Sequence, residues 1–136
     1  DGTELWYQND LLHRLDGPAV IAVNGCKKWC RNGKLHRLDG PAIVWKDGSE
    51  QWYQNDLLHR LDGPAIITVN GCKKWCRNGR LHRLDGPAVI GFKGELYWYI
   101  DGKEYTQSEY EALTLNQSKP CKGKTVIVDG VEYTLI

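Results

Sequence analysis

A mainly β fold is predicted for this chain: an elongated antiparallel sheet of stacked 23-residue hairpin repeats, closed by a short C-terminal helix and a terminal hairpin. Three observations predict it. Eight residues, Leu-His-Arg-Leu-Asp-Gly-Pro-Ala, occur at 12–19, 35–42, 58–65 and 81–88, each copy 23 residues after the last. Asn-Gly or Asp-Gly dipeptides punctuate short apolar runs at 24–25, 32–33, 47–48, 70–71 and 78–79. Such dipeptides signal hairpins, because both central residues of a type I′ turn need positive φ. Finally, 15 glycines, one Phe and no Met favour strands and turns over a helical core.

The period is doubled. Residues 6–24 reappear at 52–70 with only Val20 replaced by Ile66 and Ala22 by Thr68, and 25–34 reappear at 71–80 with one Lys-to-Arg change. Repetition at 20–50 residues marks an architecture whose unit cannot bury its apolar face alone and needs neighbours. The chain divides accordingly into four repeats over 1–94 and a C-terminal cap over 95–136.

Each repeat reads as one hairpin. A two-residue turn at Asp47-Gly48 sets Lys46 against Ser49, Val44 against Gln51 and Ile43 against Trp52. One face then carries Ala42, Val44 and Tyr53, and the other Ile43, Trp45 and Trp52. Cys30 takes the place of Tyr53 in the neighbouring repeat, and Trp6, Trp29, Trp52, Trp75 and Trp98 form an aromatic ladder. A sheet apolar on both sides has to be covered, rolled or assembled against another surface.

The eight-residue motif connects hairpins. Gly17 and its equivalents are read as permitting a tight reversal, after which Pro18 starts a strand where a missing N–H is tolerated. The motif supplies the candidate site residues, in four sets on one sheet edge: His13, Arg14 and Asp16; His36, Arg37 and Asp39; His59, Arg60 and Asp62; His82, Arg83 and Asp85. In this geometry adjacent copies are two strands, about 9.6 Å, apart, too far for two histidines to share a metal or a proton. Were each unit instead one parallel coil, the histidines would stack about 4.8 Å apart and a metal or anion ladder would become reasonable. Nucleophile elbows, phosphate loops and a Cys-His pair with an orienting third residue are missing, so no enzyme, metal or cofactor is expected. Within the motif, Asp16 is expected to satisfy backbone N–H groups of its turn, with Arg14 packing or pairing beside it.

Charge narrows the partners. With 18 basic and 17 acidic residues the net charge is +1, so no global field draws the chain to nucleic acid or acidic lipid. The Trp ladder beside Lys27, Lys28, Arg31, Lys73, Lys74 and Arg77 could stack bases, which keeps nucleic acid as a lesser alternative. No apolar run approaches the roughly 18 residues of a membrane span. No basic-then-apolar leader opens the chain, so a soluble protein is expected, with any segment upstream of Asp1 removed or not included.

Four of the five cysteines form Cys-Lys-Lys-Trp-Cys at 26/30 and 72/76. On an extended strand such a pair lies about 13 Å apart, beyond the roughly 7 Å between bridged Cα atoms. The spacing is also half of a zinc site without its other half. Reduced thiols in a reducing compartment are the expectation.

After residue 94 the period breaks. Residues 95–100, Asp101-Gly102 and 103–105 read as a last repeat hairpin. Thr106-Gln-Ser-Glu109 is a capping box opening a helix to about Leu115, with Tyr110 and Leu113 on one side. A polar loop containing Lys119-Pro120-Cys121 precedes a hairpin over 125–136 turning at Asp129-Gly130. A cap is the expected role, with a docking element as the alternative.

The 23-residue unit, Asn-Gly-Lys-Leu-His-Arg followed by spaced Gly, Asp-Gly and Trp-Tyr, resembles the MORN repeat and its shorter variant. Its His-Arg-x-Asp-Gly-Pro-Ala form is similar to repeats of bacteriophages and large DNA viruses. The resemblance covers residues 1–94 and, loosely, 98–105. It implies hairpins stacked into an elongated sheet and a scaffold, a protein-binding array or an antitoxin-like protein. The expected function is thus a non-enzymatic repeat scaffold, a viral structural or assembly component that binds a protein partner or copies of itself. An intracellular inhibitor of a host or bacterial target is the alternative.

Overall fold

The structure, a computed structural model, describes residues 2–118, 125–128 and 131–134. Ten short strands form one antiparallel sheet: Glu4–Leu5, Val20–Ile21, Lys27–Lys28, Ile43–Val44, Glu50–Gln51, Ile66–Ile67, Lys73–Lys74, Val89–Ile90, Leu96–Ile100 and Lys103–Tyr105. They follow one another in chain order, so every connection is local. The predicted fold class is correct, and the antiparallel pairing removes the parallel-coil alternative.

Each 23-residue unit builds two hairpins rather than the one expected. After the sheet strand Lys27–Lys28 the chain passes Trp29, and Cys30–Arg31 then pairs with Lys34–Leu35 in a separate small hairpin. Equivalent hairpins join Tyr7–Gln8 to Leu11–Leu12, Tyr53–Gln54 to Leu57–Leu58 and Cys76–Arg77 to Arg80–Leu81. These link into a second row. The N–H groups of Gly33, Asp56, Gly79 and Gly102 donate to the carbonyls of Leu12, Leu35, Leu58 and Leu81, at 2.9, 3.0, 2.8 and 2.8 Å.

The two hairpins use two different turns. In the small hairpins both central residues have positive φ, for example 50° and 78° at Asn32-Gly33 and 48° and 65° at Asn55-Asp56, which is the type I′ turn the dipeptides predict. In the sheet hairpins of the four repeats only the glycine does, as at Gly48 with φ 89°. Trp45 donates its N–H to Ser49 (2.9 Å) and Gly48 donates to Trp45 (3.0 Å), leaving three residues in the loop. The Asp47 carboxylate accepts the Ser49 N–H at 2.8 Å and fixes the bend.

The extra loop residue shifts the register. Ile43 pairs with Gln51 and Val44 with Glu50, so the predicted pairing of Val44 with Gln51 and Ile43 with Trp52 is corrected by one residue. A slip of one residue transfers side chains between faces, and the two face groupings built on the two-residue turn fall with it.

The core is thin and made of small side chains. Ala19, Ala42, Ala65 and Ala88 are fully buried, joined by Cys26, Cys30, Cys76, Ile43 and Tyr110. Each of these alanines accepts a hydrogen bond from a Trp N–H, as in Trp29 to Ala42 at 2.7 Å, which draws two backbones together around the methyl. The second row explains the doubled period. Arg14, Arg37, Arg60 and Arg83 donate their N–H groups to Cys30, Tyr53, Cys76 and Tyr99, so these positions are equivalent and alternate small with large. Cys30 does hold the place of Tyr53. Alternating sizes let neighbouring layers interdigitate without a void or a clash.

The cap begins as predicted. Leu96–Ile100 pairs with Lys103–Tyr105, and helix α1, Gln107–Ser118, packs against both strands. Its capping box is reciprocal: Glu109 donates its N–H to the Thr106 hydroxyl (3.2 Å), and Thr106 donates its N–H to the Glu109 carboxylate (3.0 Å). Tyr110 is buried while Leu113 stays half exposed, so the expected apolar side reduces to the tyrosine. Thr125–Val128 pairs with Val131–Thr134. The Lys119-Pro120-Cys121 loop and the Asp129-Gly130 turn lie outside the described residues. Among the described residues no helix is long and apolar enough to cross a membrane.

Candidate functional site

The four motifs form connections between the second row and the sheet, and each closes around its arginine. The Arg37 guanidinium lies 4.1 Å from the centre of the Trp29 ring, with Nε donating to the Asp39 carboxylate (3.0 Å) and Nη1 to the Pro41 carbonyl (3.1 Å). Arg14 on Trp6, Arg60 on Trp52 and Arg83 on Trp75 repeat the stack at 4.0, 3.9 and 3.9 Å. Asp16, Asp62 and Asp85 accept from these arginines at 2.9, 2.9 and 2.8 Å. The hydrogen bond and charge of each arginine hold these four carboxylates below their usual range. The role of Asp16 is thus mainly to fix its arginine.

The motif glycine is needed for a different reason than the one predicted. Gly17, Gly40, Gly63 and Gly86 do not have positive φ. Instead, a Cβ on Gly40 would sit 2.8 Å from the Arg37 guanidinium carbon, and the other three would approach within 2.9–3.0 Å. The guanidinium is sandwiched between a bare backbone and an indole ring.

The histidines tie each repeat to the next. His13, His36 and His59 accept the backbone N–H of Asn32, Asn55 and Asn78 on Nδ1, at 3.0, 3.2 and 3.1 Å. His82 accepts from Asp101 at 3.0 Å, with the Asp101 carboxylate 3.2 Å from the same nitrogen. An Nδ1 acceptor means a neutral ring carrying its proton on Nε2. Burial, and then the facing Arg31, push the His36 pKa down. The histidines therefore do structural work one repeat apart rather than converging, and no group of three or more metal-ligating residues occurs among the described residues.

The tryptophans and the cysteines are engaged differently from the motif residues. The ladder tryptophans Trp6, Trp29, Trp52 and Trp75 each have a ring face covered by their own arginine, which leaves less surface for a base to stack on. Trp98 lacks this partner, because Thr106 stands one period after Arg83. The four described cysteines carry no disulfide, and burial pushes the Cys30 and Cys76 thiols up, away from nucleophilic thiolate.

What the motifs present outward is a row of equivalent grooves between consecutive loops. The first is walled by residues 14–17 and by Trp29, Arg31 and residues 36–39; the second and third follow at the same period. Their volumes are about 360, 370 and 550 Å³. Along the row stand Leu15, Leu38 and Leu61, each about 70 % exposed. These leucines are the outward residues that the sequence reading passed over, although the second Leu of a repeated motif with no buried partner was a usable signal.

Beside the fourth motif the arrangement differs. Tyr110 of α1 donates its hydroxyl proton to the Arg83 carbonyl (2.8 Å) and accepts the Gly86 N–H (3.1 Å). Comparison of the chain with models of protein families, with curated proteins and with solved structures gives no match. The functional reading therefore stands on this geometry.

Proposed function

We propose that the chain is a non-enzymatic repeat scaffold whose motif row binds a protein partner. The observation that carries this reading is the periodic line of exposed Leu15, Leu38 and Leu61 beside the three grooves. Regularly spaced apolar side chains on a polar surface favour docking of another protein, and rigid repeats deliver them without an ordering cost. Catalysis is disfavoured because the His, Arg and Asp groups are engaged in holding the loops. The resemblance to viral repeats makes a viral assembly component the specific form of this proposal.

The test is to replace Leu15, Leu38 and Leu61 together by Asp and compare retained proteins from the source cell by crosslinking. Folding is checked by circular dichroism. Loss of a defined partner with the fold intact supports the reading, and an unchanged set of retained proteins ends it. Light scattering across concentration separates the two kinds of partner. Oligomers that the triple variant abolishes mean a second copy, and a monomer of 15.5 kDa means a different chain.

A further inference from the structure

The fourth motif loop is occupied by a side chain of the chain's own helix. Tyr110 is 4 % exposed, and its hydroxyl bridges the Arg83 carbonyl and the Gly86 N–H. All four loops share the same eight residues and the same arginine sandwich. They therefore offer the same carbonyl and N–H pair. In the first three loops Gly17, Gly40 and Gly63 make no such hydrogen bond, and these glycines line the grooves. Leu84, in the occupied loop, is 48 % exposed, whereas Leu15, Leu38 and Leu61 are 68–73 % exposed.

Resting on the scaffold reading, we propose that the three open grooves take tyrosine side chains of an extended segment of a partner protein. The ring would fill the space between adjacent loops, and its hydroxyl would donate to the Arg carbonyl and accept from the Gly N–H. A phenol suits the site because one hydroxyl satisfies both a donor and an acceptor, whereas phenylalanine leaves both unpaired. Arg14 and Arg37 are each neutralised by Asp16 and Asp39 in the first groove, so an ionic ligand is not demanded. Spacing specifies the partner further. Each repeat adds two strands, so grooves recur about every 9.6 Å. A polyproline II segment advances about 9.3 Å in three residues and returns to the same side. Tyrosine at every third position of such a segment would register with all three grooves.

The experiment is an amide-resolved NMR titration of the full chain with p-cresol, against toluene as the probe lacking the hydroxyl. Saturable shifts at Gly17, Gly40 and Gly63 with p-cresol alone, while Gly86 stays still, are expected. Shifts no larger there than elsewhere, equal shifts with toluene, or a parallel response at Gly86 would overturn the proposal. Tyr110→Ala, which removes the ring together with its hydroxyl, should add Gly86 to the responding set; if that variant does not fold, the wild-type titration decides alone. A peptide of three tyrosines separated by Pro-Pro should bind on the order of tenfold more tightly than its phenylalanine version. Equal affinity would also overturn it. The leucine variant distinguishes the two failures: partner loss on its introduction with no p-cresol response leaves the scaffold standing and removes tyrosine as its ligand.

Discussion

Gly40 and Gly48 look alike in sequence, each following an aspartate, yet they belong to regions held by different physics. Gly48 closes a sheet hairpin at φ 89° with open space where a side chain would stand. Its requirement is the backbone's. Gly40 has ordinary φ, but a side chain there would strike the Arg37 guanidinium at 2.8 Å. Its requirement is the neighbour's. The turns are therefore local and independent, while the motif loops are side-chain assemblies whose members depend on one another.

The largest effect expected from breaking that contrast is at the root of the motif loop. Ala42→Leu adds three carbons where no surface is exposed and where Trp29 holds the backbone at 2.7 Å. Overpacking of this kind costs about 1–3 kcal/mol. Urea denaturation should show a clear fall in midpoint, whereas Leu38→Ala, at an exposed site a few residues away, should stay within about 0.5 kcal/mol. An unchanged midpoint for Ala42→Leu would mean the loop can rearrange around the extra volume.

Next in size come the two glycines. Gly48→Ala forces a left-handed backbone on a residue with a Cβ and should cost about 1–2 kcal/mol in any background. Gly40→Ala should cost about 1 kcal/mol or more in the native chain but little once Arg37→Ala has removed the guanidinium. A double-mutant cycle measures this directly. Coupling at Gly40–Arg37 with none at Gly48–Arg37 is the expected pattern, and equal coupling would show that the two regions are not independent.

The same contrast explains what the sequence disclosed. Period, cap and turn positions were legible because they rest on nearest-neighbour chemistry, such as Thr106 with Glu109 or Asn32 with Gly33. The register was not, since a two-residue turn and a three-residue loop can carry the same Asp-Gly dipeptide. The His, Arg and Asp of the motif stand out by repetition, but the contacts they make depend on partners elsewhere. Arg37 meets Trp29 from the preceding sheet strand's end, and His36 meets Asn55 one repeat on. The seating of Tyr110 on Arg83 and Gly86 is equally invisible to local pattern.

A smaller effect is expected with pH. His36 has its pKa lowered from 6.5 in the folded chain. Below about pH 6.5 the unfolded chain takes up a proton that the folded chain resists, so stability falls as pH drops and levels off below the folded value. Above that range the full contribution is present. His36→Gln should therefore narrow its stability gap to the native chain between pH 7.5 and 5.5, measured by urea midpoints. A gap that widens on acidification would contradict the neutral, Nδ1-accepting ring.

The smallest effect should come from the most visible charge. Asp39 is 87 % exposed, and its removal leaves Arg37 against Trp29 and bonded to Pro41. An exposed ion pair is screened by solvent and salt, so Asp39→Asn should lower the melting temperature at pH 7 less than any change above. The sign in acid follows from the lowered carboxylate pKa. The contribution of Asp39 is present above the ordinary 3.8 and is lost as pH falls through the lower folded value, so the difference between variant and native chain should close in that window. Melting at pH 7 in low and high salt supplies the remaining check. If Asp39→Asn instead matched Ala42→Leu in severity and salt removed most of the difference, the loop would be held by its ion pair. The stacking of arginine between glycine and tryptophan would then be a consequence of that pair rather than its support.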